Sequence, residues 1–128
     1  MPPTGPTSRP AYSLDVTLSD HGMELSGTEG YQAVTVHIKN DGASPHQLVV
    51  LRTDLDPAKL PLAGDTVDLA AAGEVVGTTG SLAPGDERSV ETEQGITALL
   101  YAGSYVLLSN LPGDYQNGLF AGFTVTPR

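Results

Sequence analysis

Three histidines, His21, His37 and His46, fifteen acidic residues and no cysteine set the chemistry open to this chain. Without a thiol there is no disulfide, no zinc- or copper-thiolate bond and no cysteine nucleophile. His37 lies on the polar side of the alternating run Ala33-Val34-Thr35-Val36-His37-Ile38-Lys39, which predicts that it faces solvent. His21 lies in the turn Asp20-His21-Gly22-Met23. That turn reads either as a loose surface copper site of His21 with Met23 or as an ordinary surface turn, and the ordinary turn is expected. Asp65, Asp68, Glu74, Asp86, Glu87, Glu91 and Glu93 are dispersed, with no D-x-D-x-D-G spacing, so they predict a solvated face rather than a calcium loop. The net charge of −9 argues against nucleic acid and against anionic lipid surfaces, and suits a basic partner. No apolar run approaches the ~18 residues of a membrane span, so no membrane insertion is expected.

These residues must be held by short strands. Gly 15 and Pro 10 together approach a fifth of the 128 residues, an excess that helices tolerate poorly. From Tyr12 the hydrophobic period is two: Leu14, Val16 and Leu18 alternate with polar residues, as do Val34, Val36 and Ile38. Asn40-Asp41-Gly42 is a turn, and Gln47-Leu48-Val49-Val50-Leu51 is a run of the length and apolarity of a buried strand. The stretch 53–86 is looser. Asp56 before Pro57 predicts a capped helical turn, and Leu69-Ala70-Ala71-Ala72 predicts a short helix stopped by Gly73. Leu82 to Asp86 reads as a turn. Strands are expected over Ser89–Thr92, Ile96–Leu100, Ser104–Leu108 and Phe120–Val125. The sum is an all-β chain, a Greek-key β-sandwich or barrel of about seven or eight strands with at most one short helix. Residues 1–11, with Pro2, Pro3, Pro6 and Pro10, read as a flexible Pro-rich tail or linker, and 12–128 as one domain. A Pro/Thr/Ser tail before a Gly-rich β domain suits an exported bacterial protein, with the tail as a possible membrane tether.

Two segments carry a resemblance. Gly103-Ser104-Tyr105-Val106-Leu107-Leu108-Ser109-Asn110-Leu111-Pro112-Gly113-Asp114-Tyr115-Gln116-Asn117-Gly118-Leu119 resembles the copper loop of the cupredoxins, the small blue copper proteins. The likeness is strongest to the sulfocyanin, rusticyanin and auracyanin type, where a G-x-Y strand ends in C-N-x-P-G-H-Y-x-x-G-M. Asn40-Asp41-Gly42-Ala43-Ser44-Pro45-His46 with the apolar run after it resembles the segment that brings the family's first histidine ligand. The order and spacing are compatible over about residues 13–128.

The resemblance implies a cupredoxin fold and an ancestral one-electron carrier whose copper is held by two histidines, a cysteine thiolate and a weak axial methionine. Residue by residue, His46 stands at the first histidine. Ser109 stands at the cysteine, Asp114 at the second histidine and Leu119 at the methionine. A neutral hydroxyl is a weak donor, Leu119 offers no lone pair, and a carboxylate prefers harder ions. The resemblance therefore implies a degenerate site with no type 1 copper and no resident cofactor. His46 and Asp114 are expected to lie close, as a hydrogen-bonded pair in which the carboxylate raises the histidine's pKa. Ser109, His46 and Asp114 have the composition of a hydrolase triad, but no nucleophile elbow or oxyanion hole accompanies them, and no enzyme is expected. Leu111, Pro112, Leu119 and Phe120 form a candidate partner-binding loop. The reading is an extracytoplasmic domain, periplasmic or at the cell surface, that serves as a non-redox binding or structural module for a protein partner. The alternative is weak copper binding for handling or delivery through His46 and Asp114.

Overall fold

Along the chain the strands are β1 (Tyr12–Ser19), β2 (Gly22–Leu25), β3 (Glu29–Tyr31), β4 (Val34–Asn40), β5 (His46–Arg52), β6 (Leu62–Ala63), β7 (Thr66–Val67), β8 (Glu74–Leu82), β9 (Glu87–Ser89), β10 (Gly103–Leu108) and β11 (Phe120–Thr126). A 3-10 turn (Pro57–Lys59) and a one-turn helix α1 (Leu69–Ala72) interrupt them. The computed structural model describes residues 12–27, 29–92 and 94–127. The Pro-rich tail of 1–11 and Glu93 lie outside the described residues.

Alternation builds the first sheet, ordered β2-β1-β4-β9, with β1 and β4 parallel. Leu14, Val16 and Leu18 of β1 and Val34, Val36 and Ile38 of β4 all point inward and are fully buried. The second sheet, ordered β3-β11-β10-β5-β8, faces them with Leu48, Val50, Tyr105, Leu107, Phe123 and Val125. Two inner faces of alternating residues make the core of a β-sandwich.

The apolar run of β5 has a second reason. Val49 and Leu51, with Val106 and Leu108 of β10, point to the outer face of the second sheet and would meet water there. The excursion between β5 and β8 covers them with Leu60, Val67 and Ala72, and Tyr115 joins from the β10–β11 loop. The excursion is built from local signals: the Asp56 carboxylate accepts from Ala58 N at 3.0 Å to cap the 3-10 turn, and Asp68 caps α1.

Three strand expectations are corrected. The stretch read as loose contains β8, the longest strand. Its glycines and register shifts against β5, between Gln47 and Val49 and between Val50 and Leu51, hide its alternation. The strand expected over Ser89–Thr92 lies instead at Glu87–Ser89. Ile96–Leu100 makes only isolated bridges, Thr97 to Glu91 and Leu100 to Val34, and Ile96 stays 64% exposed. That segment carries the chain from the first sheet toward β10 in the second, so it cannot lie along either. Among the described residues seven strands have four residues or more, as expected, and edges and excursion add four pieces of two or three residues.

Gly77 of β8 is buried with no room for a side chain. A Cβ there would meet Val90 Cγ1 at 2.6 Å and Ala98 Cβ at 3.0 Å. Gly77→Ala is expected to cost about 1–3 kcal/mol from overpacking, read as a lower urea midpoint at unchanged slope.

Candidate functional site

At one end of the sandwich the β1–β2 turn, the loop from β4 to β5 and the long β10–β11 loop come together. Asn40, the last residue of β4, is fully buried and shapes the second of these. Its amide nitrogen donates to Ser44 O at 2.9 Å and Leu82 O at 3.0 Å, while its carbonyl accepts from Gly42 N at 2.9 Å. The chain therefore doubles back so that His46 opens β5 facing inward, 3% exposed. Gly42 leaves the approach open: a Cβ there would push the Asp20 carboxylate aside and lie 3.1 Å from His46 Nε2.

From the other side, β10 ends at Ser109, which is fully buried. The neck of the β10–β11 loop closes through Ser109 N to Leu119 O at 3.0 Å and Leu119 N to Asp114 O at 3.1 Å. Asn110 ties the loop to β7, accepting from Val67 N at 2.7 Å and donating to Val67 O at 3.2 Å. Gly113, with φ 82°, donates to Asp65 O at 2.9 Å.

These supports bring His46, Ser109 and Asp114 into contact, as the resemblance implied. His46 Nδ1 donates to Asp114 Oδ2 at 2.7 Å, and Ser109 Oγ donates to the same oxygen at 2.6 Å while accepting from Gln47 N at 3.0 Å. A fourth residue joins them that no motif indicated. Asp20, in the β1–β2 turn, accepts from His46 Nε2 at 2.9 Å, and its carboxylate also accepts from Ala43 N and Ser44 N at 3.1–3.2 Å. Both ring nitrogens thus face carboxylate oxygens, which is the hydrogen-bonding pattern of an imidazolium. Burial works against the charge on His46, but the hydrogen bonds to Asp114 and Asp20 outweigh it, and the pKa is raised from the ordinary 6.5. The hydrogen bond from His46, with the backbone N–H groups of Ala43 and Ser44, lowers the pKa of Asp20 from 3.8.

His46, Ser109 and Asp114 are not connected as a hydrolase triad. The Ser109 hydroxyl gives its proton to Asp114 rather than to His46, and it is sealed from solvent. Nor do the donors fit a type 1 copper ion. Asp114 Oδ2 holds the Nδ1 side of the ring, the side facing Ser109, and Asp20 holds the opposite nitrogen. Leu119, fully buried in the core, offers no donor atom. Among the described residues no three His, Cys, Asp or Glu side chains converge to hold a metal ion.

The remaining sequence candidates fall out as follows. Leu119 cannot belong to a binding surface, since backbone bonds at the loop neck turn its side chain inward. Phe120 is half-buried against the Tyr115 ring, with centroids 4.9 Å apart. Of the expected patch, Pro112 is exposed and Leu111 half-exposed. Met23 packs against the core while His21 points to solvent, so the two do not form a pair. His37 is only partly exposed and meets Glu87 Oε1 at 2.9 Å. Of the dispersed acids, Asp68 caps α1 and Asp86 accepts from Ala83 N in the β8–β9 turn. A groove of about 400 Å³ lies away from His46, over the outer face of the second sheet, lined by Thr53, Asp54, Leu55, Ser104 and Gly122 among others.

No protein-family model matches the chain, and no curated protein matches it. Solved structures do. Dithionite-reduced auracyanin from the photosynthetic bacterium Roseiflexus castenholzii is 21% identical, with a TM-score of 0.62 over 91% of this chain and 98% of that one. Auracyanin B is 19% identical, with a TM-score of 0.61 over 94% and 93% of the two chains. Rusticyanin from Thiobacillus ferrooxidans is 17% identical, with a TM-score of 0.59 over 91% and 79%. Such identities carry the fold alone, and the fold of this chain is that of the cupredoxins.

Proposed function

We propose that this chain is a copper-free cupredoxin-fold domain that acts outside the cytoplasm as a non-redox binding or structural module. One observation carries the reading. His46, at the position of the family's first copper ligand, spends both ring nitrogens on carboxylates, with Ser109 bonded into the same group. An ion entering there would have to expel a proton from a buried charged pair and would gain no thiolate in return. The scaffold around it is kept: Asn110, Pro112, Gly113 and Gly118 still shape the loop, and its outer residues Leu111 and Pro112 remain available to a protein partner. With a net charge of −9, a basic partner surface is the complementary one.

The test is a copper titration of the metal-stripped chain. Cu(II) and Cu(I) are added separately and followed by heat and electron paramagnetic resonance, with His46→Ala and Asp114→Ala alongside. The expected result is no binding tighter than that of a peptide with one exposed histidine. One-to-one binding lost in both variants would overturn the reading and make the chain a metal carrier through His46 and Asp114.

A further inference from the structure

Three segments that are distant in sequence meet on the His46 ring: the β1–β2 turn through Asp20, the 42–45 loop through the Asp20 carboxylate, and the β10–β11 loop through Asp114. We propose that His46 is a proton-gated clamp on this end of the sandwich, which ties the three segments together while doubly protonated and lets go of Asp20 when it loses one proton. The clamp rests on the copper-free reading above, because a metal on the ring would take the place of the proton.

The asymmetry of the two carboxylates decides which side opens. A neutral imidazole keeps one N–H and presents a lone pair at the other nitrogen, so it satisfies one carboxylate and repels the second. Asp114 is held: its side chain is 12% exposed and it also receives the Ser109 hydroxyl. Asp20 has a side chain 32% exposed and can turn to water. The remaining proton therefore stays on Nδ1, facing Asp114, and the Nε2 side is released. The charged groups facing the ring are Asp20 from the turn and Asp114 from the loop; β8 places Leu82 beside it and β10 leads to Ser109, all uncharged. The hydrogen bonds to Asp114 and Asp20 raise the His46 pKa from its ordinary 6.5, so the transition lies on the alkaline side of that value. Opening exposes the Ala43 and Ser44 amides and adds one negative charge to a face that already carries exposed Ala43, Ser44 and Pro45. Docking of a basic partner at this end would then depend on pH.

The experiment uses the full chain, isotope-labelled and in chelator, with long-range proton–nitrogen NMR of the imidazole from about pH 5 to 10 and amide exchange over the same range. Two ring N–H signals at low pH should give way to a single Nδ1–H tautomer, with a midpoint above that of a free histidine. Exchange at Ala43 and Ser44 should rise about tenfold beyond the intrinsic increase with pH, while Asn117 and Leu119 keep their protection. Asp20→Asn and Asp20→Ala should each lower the midpoint and abolish the excess exchange. An Nε2–H tautomer at high pH, a ring neutral throughout, or a midpoint unmoved in both variants would overturn the clamp. None of these outcomes touches the copper titration, and tight copper binding would overturn the copper-free reading without altering these metal-free spectra.

Discussion

His46→Leu is expected to lower the unfolding free energy by about 3–5 kcal/mol, the largest loss from any conservative-volume change at this end of the fold. The cost comes from what is left behind. Asp114 is 8% exposed and would keep only the Ser109 hydroxyl, an anion out of water with its cation gone. Asp20 can turn to solvent and adds little. The double variant His46→Leu, Asp114→Leu removes both charges and should recover more than half of the loss, since a buried ion pair is close to neutral against well-packed apolar residues. Urea unfolding at fixed pH measures both, and a single-variant loss below about 1 kcal/mol would show that the pair does not hold the fold together. The pH dependence follows by sign. His46 has a raised pKa, so its contribution is complete below the unfolded value of 6.5 and fades as pH rises through the higher folded value. Asp20 has a lowered pKa, so its contribution is present above 3.8 and fades as pH falls through the lower folded value. The window between these holds both contributions, and His46→Leu should flatten the decline on its alkaline side.

The second large effect runs the other way. Ser109→Cys, Asp114→His and Leu119→Met together should give a chain that binds one Cu(II) tightly and turns blue, where the parent does not. Ser109 Oγ and His46 Nδ1 already lie 2.6 Å and 2.7 Å from one Asp114 oxygen, so donors placed at 109 and 114 converge on the ring. The loop supports at Asn110 and Gly113 are in place, and Asp20 would remain on Nε2 as the outer partner that orients a metal-bound histidine. The visible thiolate-to-copper band is the readout. A colourless triple variant that folds as the parent does would mean that positions 109, 114 and 119 do not correspond to the ligand positions of the blue copper proteins. Ser109→Cys alone should stay colourless, because Asp114 would still hold the Nδ1 proton.

Much of this arrangement could be read before any coordinates. The alternation in β1 and β4 fixes which residues face inward, and Leu14, Val16, Leu18, Val34, Val36 and Ile38 are all where period two puts them. The loop resemblance brought His46, Ser109 and Asp114 to one place. What escaped has physical causes. β8 hides its period behind Gly77, Gly80 and two register shifts. Ile96–Leu100 has strand composition, but its hydrogen-bonding partners lie in different directions. Leu119 looks like a surface residue next to Gly118, yet a backbone bond turns it into the core. Asp20 left no trace at all: it lies 26 residues before His46, in a turn whose sequence has the composition of any surface turn. Only the parallel pairing of β1 with β4 carries that turn to the histidine.

The order of the strands also constrains when this chain can fold. β11 lies between β3 and β10, contributes Phe123 and Val125 to the inner core, and pairs in parallel with a segment 95 residues earlier, Thr124 opposite Glu29. Until residue 126 is available, the second sheet lacks an inner strand and β3 has no neighbour. Assembly is therefore a late, concerted event dominated by long loop closures, slower than the microsecond regime of helical bundles and on the order of milliseconds to seconds. During translation the half-built sandwich would leave its strand edges unpaired, open to chaperones or to like chains.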